Sequence, residues 1–483
     1  MVFSSTVFLC VFLPLVLLIY FLLPKLQQKN AVLLIFSLIF YAWGEPTFIV
    51  LMLFSIISNY IFGLLIHELH KRDKNARFLL FVSVITNLSM LFYFKYFSFL
   101  ISTAVSIFGF EWSIPEITLP IGISFYTFQG MSYVIDVYRD KNQIENEPLV
   151  QKNPLALALY ISLFPQLIAG PIVRYSDISK YLNHRTHSFE KFMSGVELFI
   201  IGLSKKVVFA NILGNAADQI IQGGFNQIGA AHAWLSGLLY MLQIFFDFCG
   251  YSEMAIGLGR MFGFEFCINF NYPYISRSIT EFWRRWHISL SVWFRDYLYI
   301  PLGGNRKGNV YFNLSVVFLA TGIWHGADWS FILWGLWHGL FMLIERVLKK
   351  KKISVPCPKI ISSVLGWIYT MSVVYFGWIA FRLADIDKTI SYIKTMFGLT
   401  NPEFIPYNIS WYLNNRTLFV LIMAILCCVP WKNIIESKIP ASKKLWSNDI
   451  FILIKRIALV GLLAICLILI TNSTYNPFIY FRF

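Results

Sequence analysis

Apolar stretches about as long as a bilayer is thick recur along the whole chain, separated by short polar connections. A membrane-crossing helix needs about twenty predominantly apolar residues. The pattern therefore predicts an all-α polytopic membrane protein with about eleven or twelve membrane segments. These segments lie near residues 5–23, 31–43, 47–66, 78–109, 119–138, 154–173, 191–220, 229–247, 311–345, 360–383, 416–430 and 450–471, and the longest predicted loops are 139–153 and 384–415.

The composition agrees with a membrane protein. Hydrophobic residues make up 57% of the 483 residues and charged residues only 13%, too few to coat several soluble domains. The net charge is 40 − 25 = +15. Such a charge favours nucleic-acid binding in a soluble protein, but short cytoplasmic loops of membrane proteins also collect Lys and Arg. We therefore expect membrane lipid, and not nucleic acid, to surround this basic chain.

Clusters of basic residues predict the orientation of the chain in the membrane. Lysines and arginines concentrate in 67–77, 349–352 and 432–444, and the positive-inside rule places such loops in the cytoplasm. Alternation of the spans then puts the N-terminus and the tail 476–483 outside. We expect a multi-pass protein of the cytoplasmic membrane with both termini extracytoplasmic.

Residues 277–296 differ from the apolar spans because this stretch mixes arginines with tryptophans. Arg284, His287, Ser291 and Arg295 recur at three- and four-residue spacing, which places them on one face of a continuous helix. This pattern predicts an interfacial amphipathic helix. His287 is either a catalytic or anion-binding residue there or an interfacial polar residue without chemistry.

The apolar segment 311–345 is interrupted at 322–328, and basic residues flank both of its ends. A segment with both ends in the cytoplasm must turn back within the membrane, and an ionisable residue at such a break suggests function. His325 is the strongest candidate, since neutral imidazole can accept a proton from a hydroxyl. A hydrogen-bonded core histidine is the alternative. Asp328 follows one turn later and could orient it, whereas His338 would lie on the opposite face of a continuous helix and is expected to pack.

Other catalytic patterns are missing. Gly303 and Gly308 have phosphate-loop spacing, but Asn309 replaces the required lysine,. The chain has neither the metalloprotease helix pattern nor a serine nucleophile elbow. We therefore expect no metal site. A transporter or flippase, which also uses broken helices and intramembrane polar groups, remains an alternative.

Taken together, several motifs resemble the membrane-bound O-acyltransferase family, in the bacterial branch that acetylates alginate and peptidoglycan. The matching stretches are Leu119-Pro120-Ile121-Gly122-Ile123-Ser124-Phe125, Phe164-Pro165-Gln166-Leu167-Ile168-Ala169-Gly170-Pro171, Asp247-Phe248-Cys249-Gly250-Tyr251, Phe282-Trp283-Arg284-Arg285-Trp286-His287, Pro301-Leu302-Gly303-Gly304-Asn305 and Trp324-His325-Gly326-Ala327-Asp328-Trp329.

The resemblance implies a helical bundle around a central tunnel. Residues 1–350 would form the acyltransferase core, and 351–483 would add transmembrane helices and an extracytoplasmic aromatic tail.

The resemblance also implies the chemistry. His325 would be the invariant catalytic histidine and His287 the second one, while Arg284, Asp328 and Gln166 would support the donor or the oxyanion. An acyl-CoA, which we expect to be acetyl-CoA, would be a substrate, and no cofactor would be needed. The acyl group would cross the bacterial inner membrane for O-acetylation of a surface or exported polysaccharide.

The C-terminal tail ends in Phe478-Ile479-Tyr480-Phe481-Arg482-Phe483. It resembles the aromatic motif of a small protein that relays the acyl group in the teichoic-acid branch. The resemblance implies that Tyr480 carries the acyl group to an extracytoplasmic esterase-like (SGNH) acetyltransferase partner. An aromatic anchor at the membrane interface is the alternative for this tail. D-alanyl transfer to teichoic acid is the alternative within the enzyme class.

Overall fold

The computed structural model describes residues 1–109, 112–141, 148–168, 170–352, 358–402, 404–436, 449–472 and 475–477. Within these ranges the secondary structure is helical, without strands. The chain forms two compact units. The first unit contains 1–199 and 252–267, and the second unit contains 200–251 and 268–483.

Buried polar contacts join apolar helices within the first unit. The amide groups of Asn59 and Asn87 exchange hydrogen bonds of 3.1 and 2.9 Å, which join two helices where water is absent. The helices are α1 (Leu13–Leu22), α2 (Leu26–Gly44), α3 (Ile49–Lys71), α4 (Arg77–Leu91), α5 (Phe97–Phe108), α6 (Ile123–Arg139), α7 (Pro154–Ser162), α8 (Phe164–Leu167), α9 (Tyr175–Asn183) and most of α10 (Phe189–Ser204).

The second unit contains the helices that carry the candidate histidines. They are α11 (Asn211–Ile221), most of α12 (Ala230–Met261), α13 (Ile279–Arg285), α14 (Ile288–Phe294), α15 (Val310–His325), α16 (Trp329–Lys350), α17 (Lys359–Leu383), α18 (Ile386–Met396), α19 (Ile409–Tyr412), α20 (Asn415–Cys427), α21 (Trp431–Glu436) and α22 (Asp449–Asn472). Short π-helical turns cover Phe8–Phe12, Phe92–Tyr96, Lys205–Ala210 and Arg295–Tyr299.

The predicted all-α membrane architecture is confirmed. Among the described residues, six helices are long and apolar enough to cross a bilayer, and three shorter apolar helices accompany them. The count of eleven or twelve crossings and the central tunnel stay predictions. The predicted boundary at residue 350 concerns the extent of the acyltransferase core, which the division into two units does not test.

Three predicted segments differ from the structure. Segment 154–173 is not one helix, because α7 ends at Ser162 and the prolines at 165 and 171 interrupt the rest of the segment,. Segment 229–247 extends to Met261, since α12 continues past the polar residues that end the apolar run. The interval 384–415 is not only loop, because it contains α18 and α19.

The predicted break near 322–328 is present as a hairpin between α15 and α16. The helices approach closely at Gly322 and Gly335, where an added Cβ would collide with the backbone of the other helix. Such close contact through small residues is typical of membrane helices. The hairpin places His325 at the very end of α15, next to the turn.

Candidate active site

The predicted continuous helix over 277–296 is wrong, because the chain breaks at Trp286 and His287. Helix α13 ends at Arg285, Trp286 is extended, and His287 has φ +44° and begins α14 as its N-cap. The Trp286 ring packs 4.7 Å from Trp378 and 5.0 Å from Phe270. We infer that burial of this indole outweighs the cost of left-handed backbone, a strain often found at functional sites.

The break separates the residues that were expected to share one face. His287 is fully buried, whereas Arg284 and Arg295 are exposed. The predicted placement of Arg284 and His287 on one helical face is therefore wrong, and their role toward an anionic donor stays a prediction.

A hydrogen-bond network fixes the protonation of His287. The Oδ1 atom of Asn269 accepts from the backbone N–H of Ser289 at 3.1 Å and from its hydroxyl at 2.9 Å. Since a backbone N–H can only donate, this atom of Asn269 is the oxygen. The same oxygen lies 3.2 Å from Nδ1 of His287, which must donate to it. The proton is thus on Nδ1, and Nε2 carries a lone pair.

Burial also keeps His287 uncharged. It lowers the pKa of His287 from 6.5 to about 3, because a charged imidazolium loses its hydration in this apolar surrounding. The ring packs edge-on against Phe248 at 4.7 Å. A neutral imidazole with a lone pair on one nitrogen can accept a proton or a hydrogen bond there.

His325 lies beside His287 in an aromatic cage. Its side chain is 3% exposed, and its ring centroid is 4.9 Å from Trp324, 5.0 Å from Trp334 and 5.2 Å from Phe381. The two imidazole centroids are 6.5 Å apart. This separation is too long for a direct hydrogen bond between the rings, and it leaves room for reacting groups to contact both.

His338 lies closer to this site than the sequence suggested. The expectation of opposite faces assumed one continuous helix, which the hairpin contradicts. The rings of His325 and His338 contact the same indole, Trp334, at 5.0 and 5.1 Å. His338 is fully buried, and neither of its ring nitrogens has a hydrogen-bond partner within the described part of the chain. Its expected packing role stays a prediction.

The other two predicted supporting residues have structural contacts. Asp328 caps α16, where its carboxylate accepts from the backbone N–H of Ser330 at 2.8 Å. Gln166 is buried in the first unit, and its amide donates to the carbonyl of Tyr160 at 2.7 Å. Their roles toward the donor or the oxyanion stay predictions.

Arg284 lines a cavity of about 730 Å³ within the second unit. Arg295, Arg346 and Lys349 also line it, together with two carboxylates, Glu281 and Glu345, so cations outnumber anions along its lining. Its apolar wall includes Trp283, whose ring lies 5.6 Å from Trp334. The Trp334 ring in turn contacts His325. A basic cavity thus lies two aromatic rings away from the histidine pair.

A buried ion pair binds the start of the C-terminal tail. Lys206 Nζ lies 2.6 Å from the Asp247 carboxylate, and these side chains are 1% and 2% exposed. Lys206 also donates a hydrogen bond to the carbonyl of Pro477. Asp247 precedes Phe248, whose ring contacts His287. Tyr480 itself lies outside the described residues.

Asn269 and Trp334 are parts of this site that no sequence pattern indicated. Asn269 is 18 residues before its partner His287, and no local spacing connects them. Trp334 resembles any apolar residue of a membrane helix. The pairing of His287 with His325 was expected from the resemblance alone.

Known proteins that this chain matches are named for the transfer of acyl groups. Residues 145–383 match the model of the membrane-bound O-acyltransferase family. The chain is 38% identical to a protein of Azotobacter vinelandii named as a probable alginate O-acetylase, over 100% of both chains. It is 34% identical to a peptidoglycan O-acetyltransferase of Helicobacter pylori, over 100% of this chain and 98% of the other. It is 29% identical to a teichoic acid D-alanyltransferase of Bacillus subtilis, over 54% of this chain and 68% of the other.

Proposed function

We propose that this chain, which belongs to the membrane-bound O-acyltransferase family, moves an acetyl group across the bacterial inner membrane for O-acetylation of a polysaccharide. The proposed chemistry rests on the buried pair of His287 and His325, whose ring centroids are 6.5 Å apart. The choice of acetyl transfer is supported by relatives named for O-acetylation, which align over the whole chain. The D-alanyltransferase relative aligns over 54% of it.

Acetyl-CoA is the proposed donor. Its phosphates would bind the cationic rim of the cavity lined by Arg284, since guanidinium groups match phosphate oxygens in geometry and charge. The pantetheine arm would extend past Trp283 toward the histidines. The Nε2 lone pair of His287 would accept a hydrogen bond from an amide N–H of this arm and hold the thioester beside His325.

His325 is the proposed general base. It accepts the proton of an acceptor hydroxyl while the hydroxyl oxygen forms a bond to the thioester carbonyl carbon. The carbon–sulfur bond then breaks, and the leaving thiolate takes the proton from the His325 imidazolium. The acetyl group ends as an oxygen ester, free coenzyme A is released, and His325 is neutral again.

Tyr480 is the proposed acceptor hydroxyl. The Pro477 carbonyl is bound by Lys206, whose partner Asp247 adjoins the residue that contacts His287. Three residues of extended chain span about 10 Å, and the proposal requires that the chain after Pro477 bring Tyr480 to the pair. An extracytoplasmic esterase-like (SGNH) partner would transfer the acetyl group onward to the polysaccharide. The basic-loop pattern supports extracytoplasmic termini.

The test is transfer from labelled acetyl-CoA in proteoliposomes, followed by peptide mass analysis. The wild type should release coenzyme A and carry label on Tyr480. His325→Gln should abolish both, and Tyr480→Phe should abolish the label. His70→Gln, another buried histidine, and Tyr93→Phe, another tyrosine, are matched controls that should retain both.

The outcomes separate the alternatives. Label that reaches polysaccharide in Tyr480→Phe would refute the relay but keep the acetyltransferase. A wild type that consumes no thioester, with partner and acceptor supplied, would refute the proposed activity. D-alanyl transfer from a carrier protein would then be tested next, and a transporter after it.

A further inference from the structure

Another polar region of the second unit lies at α11, which is remote in sequence from the histidines. Asn211, Asn215, Gln219 and Gln222 recur at intervals of four, four and three residues. This spacing places four amide side chains along one face of the helix and its C-cap. An amide offers both donors and an acceptor, and none of these four carries a charge.

This amide face lines two adjoining cavities. They measure about 380 Å³ and about 520 Å³, each within the range of small-molecule sites. Gln219, Tyr412 and Asn414 line both of them, so they form one continuous region, here called the amide cleft. The Oδ1 atom of Asn211 is buried and has no hydrogen-bond partner among the described residues.

Aromatic rings form the other wall of the amide cleft. Tyr407 and Trp411 stack with centroids 4.8 Å apart and an interplanar angle of 13°. Trp411 is 62% exposed and Tyr407 is 48% exposed. Two nearly parallel rings that remain open to the outside offer a flat apolar surface whose polar edges can still hydrogen-bond.

The charge of the amide cleft is low. Arg416 is the one charged residue among its lining residues in the described chain. Nucleic acid would require several cations along its backbone, and a protein interface would have an apolar centre. Sugars match this lining better, because each hydroxyl both donates and accepts and the ring C–H faces pack on aromatic rings.

The amide cleft also adjoins the beginning of the tail. Tyr475 lines it and donates a hydrogen bond of 2.6 Å to Asp218. Asp218 also pairs with Arg382, near the C-terminal end of α17, at 2.8 Å. The opposite end of α17 meets the region of the basic cavity, where Arg277 contacts Ser363. The 25 residues of α17 span about 37 Å, so the two cavities lie near opposite ends of one helix.

We propose that the amide cleft binds a strand of acidic glycan. The sugar rings stack on Trp411 and Tyr407, their hydroxyl groups hydrogen-bond with the amide face of α11, and one carboxylate pairs with Arg416. The basic-loop pattern predicts that this end of α17 faces outside, where a surface or exported polysaccharide is found. The choice of a glycan rests on the proposed acetylation of a polysaccharide, but the inference concerns binding alone and holds whether or not Tyr480 carries an acyl group.

The test measures binding of a β-1,4-linked mannuronate hexamer and of its carboxyl-reduced neutral counterpart to the full chain in nanodiscs. Trp411→Ala should weaken both by about tenfold. Arg416→Gln should weaken only the acidic hexamer and bring it to the affinity of the neutral one. Trp431→Ala is the matched control, since Trp431 is 48% exposed and follows the other end of α20; it should change neither affinity.

Two readouts keep this test independent of folding and of catalysis. Thermal unfolding should stay unchanged in Trp411→Ala, and release of coenzyme A without glycan should also stay unchanged. Absence of saturable binding up to about 10 mM, or equal affinities in Trp411→Ala and Trp431→Ala, would overturn the proposal. Binding of an esterase-like protein that Gln222→Arg disrupts, with no hexamer binding, would overturn it in favour of a protein interface.

Discussion

Replacement of Asn269 by alanine should lower the catalytic rate, because Asn269 holds His287 in its protonation state and position. Asn269 itself is not proposed to contact a substrate. Its Oδ1 atom accepts from Nδ1 of His287 and from both donors of Ser289. The Ser289 hydroxyl is free to rotate, so only the two donors of fixed direction are counted. These are Nδ1–H of His287 and the backbone N–H of Ser289, which both lose their acceptor. Each costs about 1–3 kcal/mol, which gives about 2–6 kcal/mol of lost stability. The proton of His287 is then no longer held on Nδ1, and a misplaced group costs about a hundredfold in rate.

The assay is release of coenzyme A in proteoliposomes, with kcat and KM measured from about pH 5 to pH 9. Asn269→Ala should lower kcat/KM by about a hundredfold. Asn269→Asp should keep the acceptor but raise the pKa of His287, because a carboxylate favours the imidazolium. Protonation removes the Nε2 lone pair, so activity in Asn269→Asp should fall at a higher pH than in the wild type as the pH decreases.

Asn313 supplies the matched control for this experiment. It is 2% exposed, and its amide donates to the Gly304 carbonyl at 3.1 Å. Asn313→Ala should lower stability and leave the pH profile unchanged. If Asn269→Ala loses only stability and Asn269→Asp keeps the wild-type pH profile, the proposed positioning of His287 by Asn269 is refuted.

Three further changes test other parts of the site. Arg284→Gln should raise the KM for acetyl-CoA by about tenfold with little change in kcat, because a lost phosphate contact weakens binding alone; a normal KM would exclude this cavity as the donor site. His338→Leu should retain activity and stability, because it removes a polar ring that lacks hydrogen bonds within the described part of the chain,; loss of turnover without unfolding would assign His338 a chemical role. Lys206→Met should lower the free energy of unfolding by about 3–5 kcal/mol, because Asp247 loses its buried cation. The double variant Lys206→Met/Asp247→Leu should recover much of this loss, because it removes the unpaired charge as well. Thermal unfolding measures the stability of both variants, and equal stabilities would contradict the argument.

The amino-acid sequence determined the class of the protein, because the bilayer imposes a local rule. A membrane helix must satisfy its backbone within one continuous apolar stretch, so α3, α17 and α22 could be located from hydropathy alone. The break after His325 was also predictable, since glycines and Asp328 interrupt an apolar run. The motifs around His287 and His325 identified the family, which the relatives confirm.

Tertiary structure decided the details of the site, because they depend on contacts between distant residues. Helical periodicity predicted that Arg284 and His287 lie on one face of a continuous helix. The helix instead breaks at Trp286, where the indole packs against Trp378, so the two side chains do not share a face. The tautomer of His287 depends on Asn269, which is remote in sequence. A local pattern records which backbone a segment prefers, whereas the protonation and burial of a side chain depend on whatever the fold packs against it.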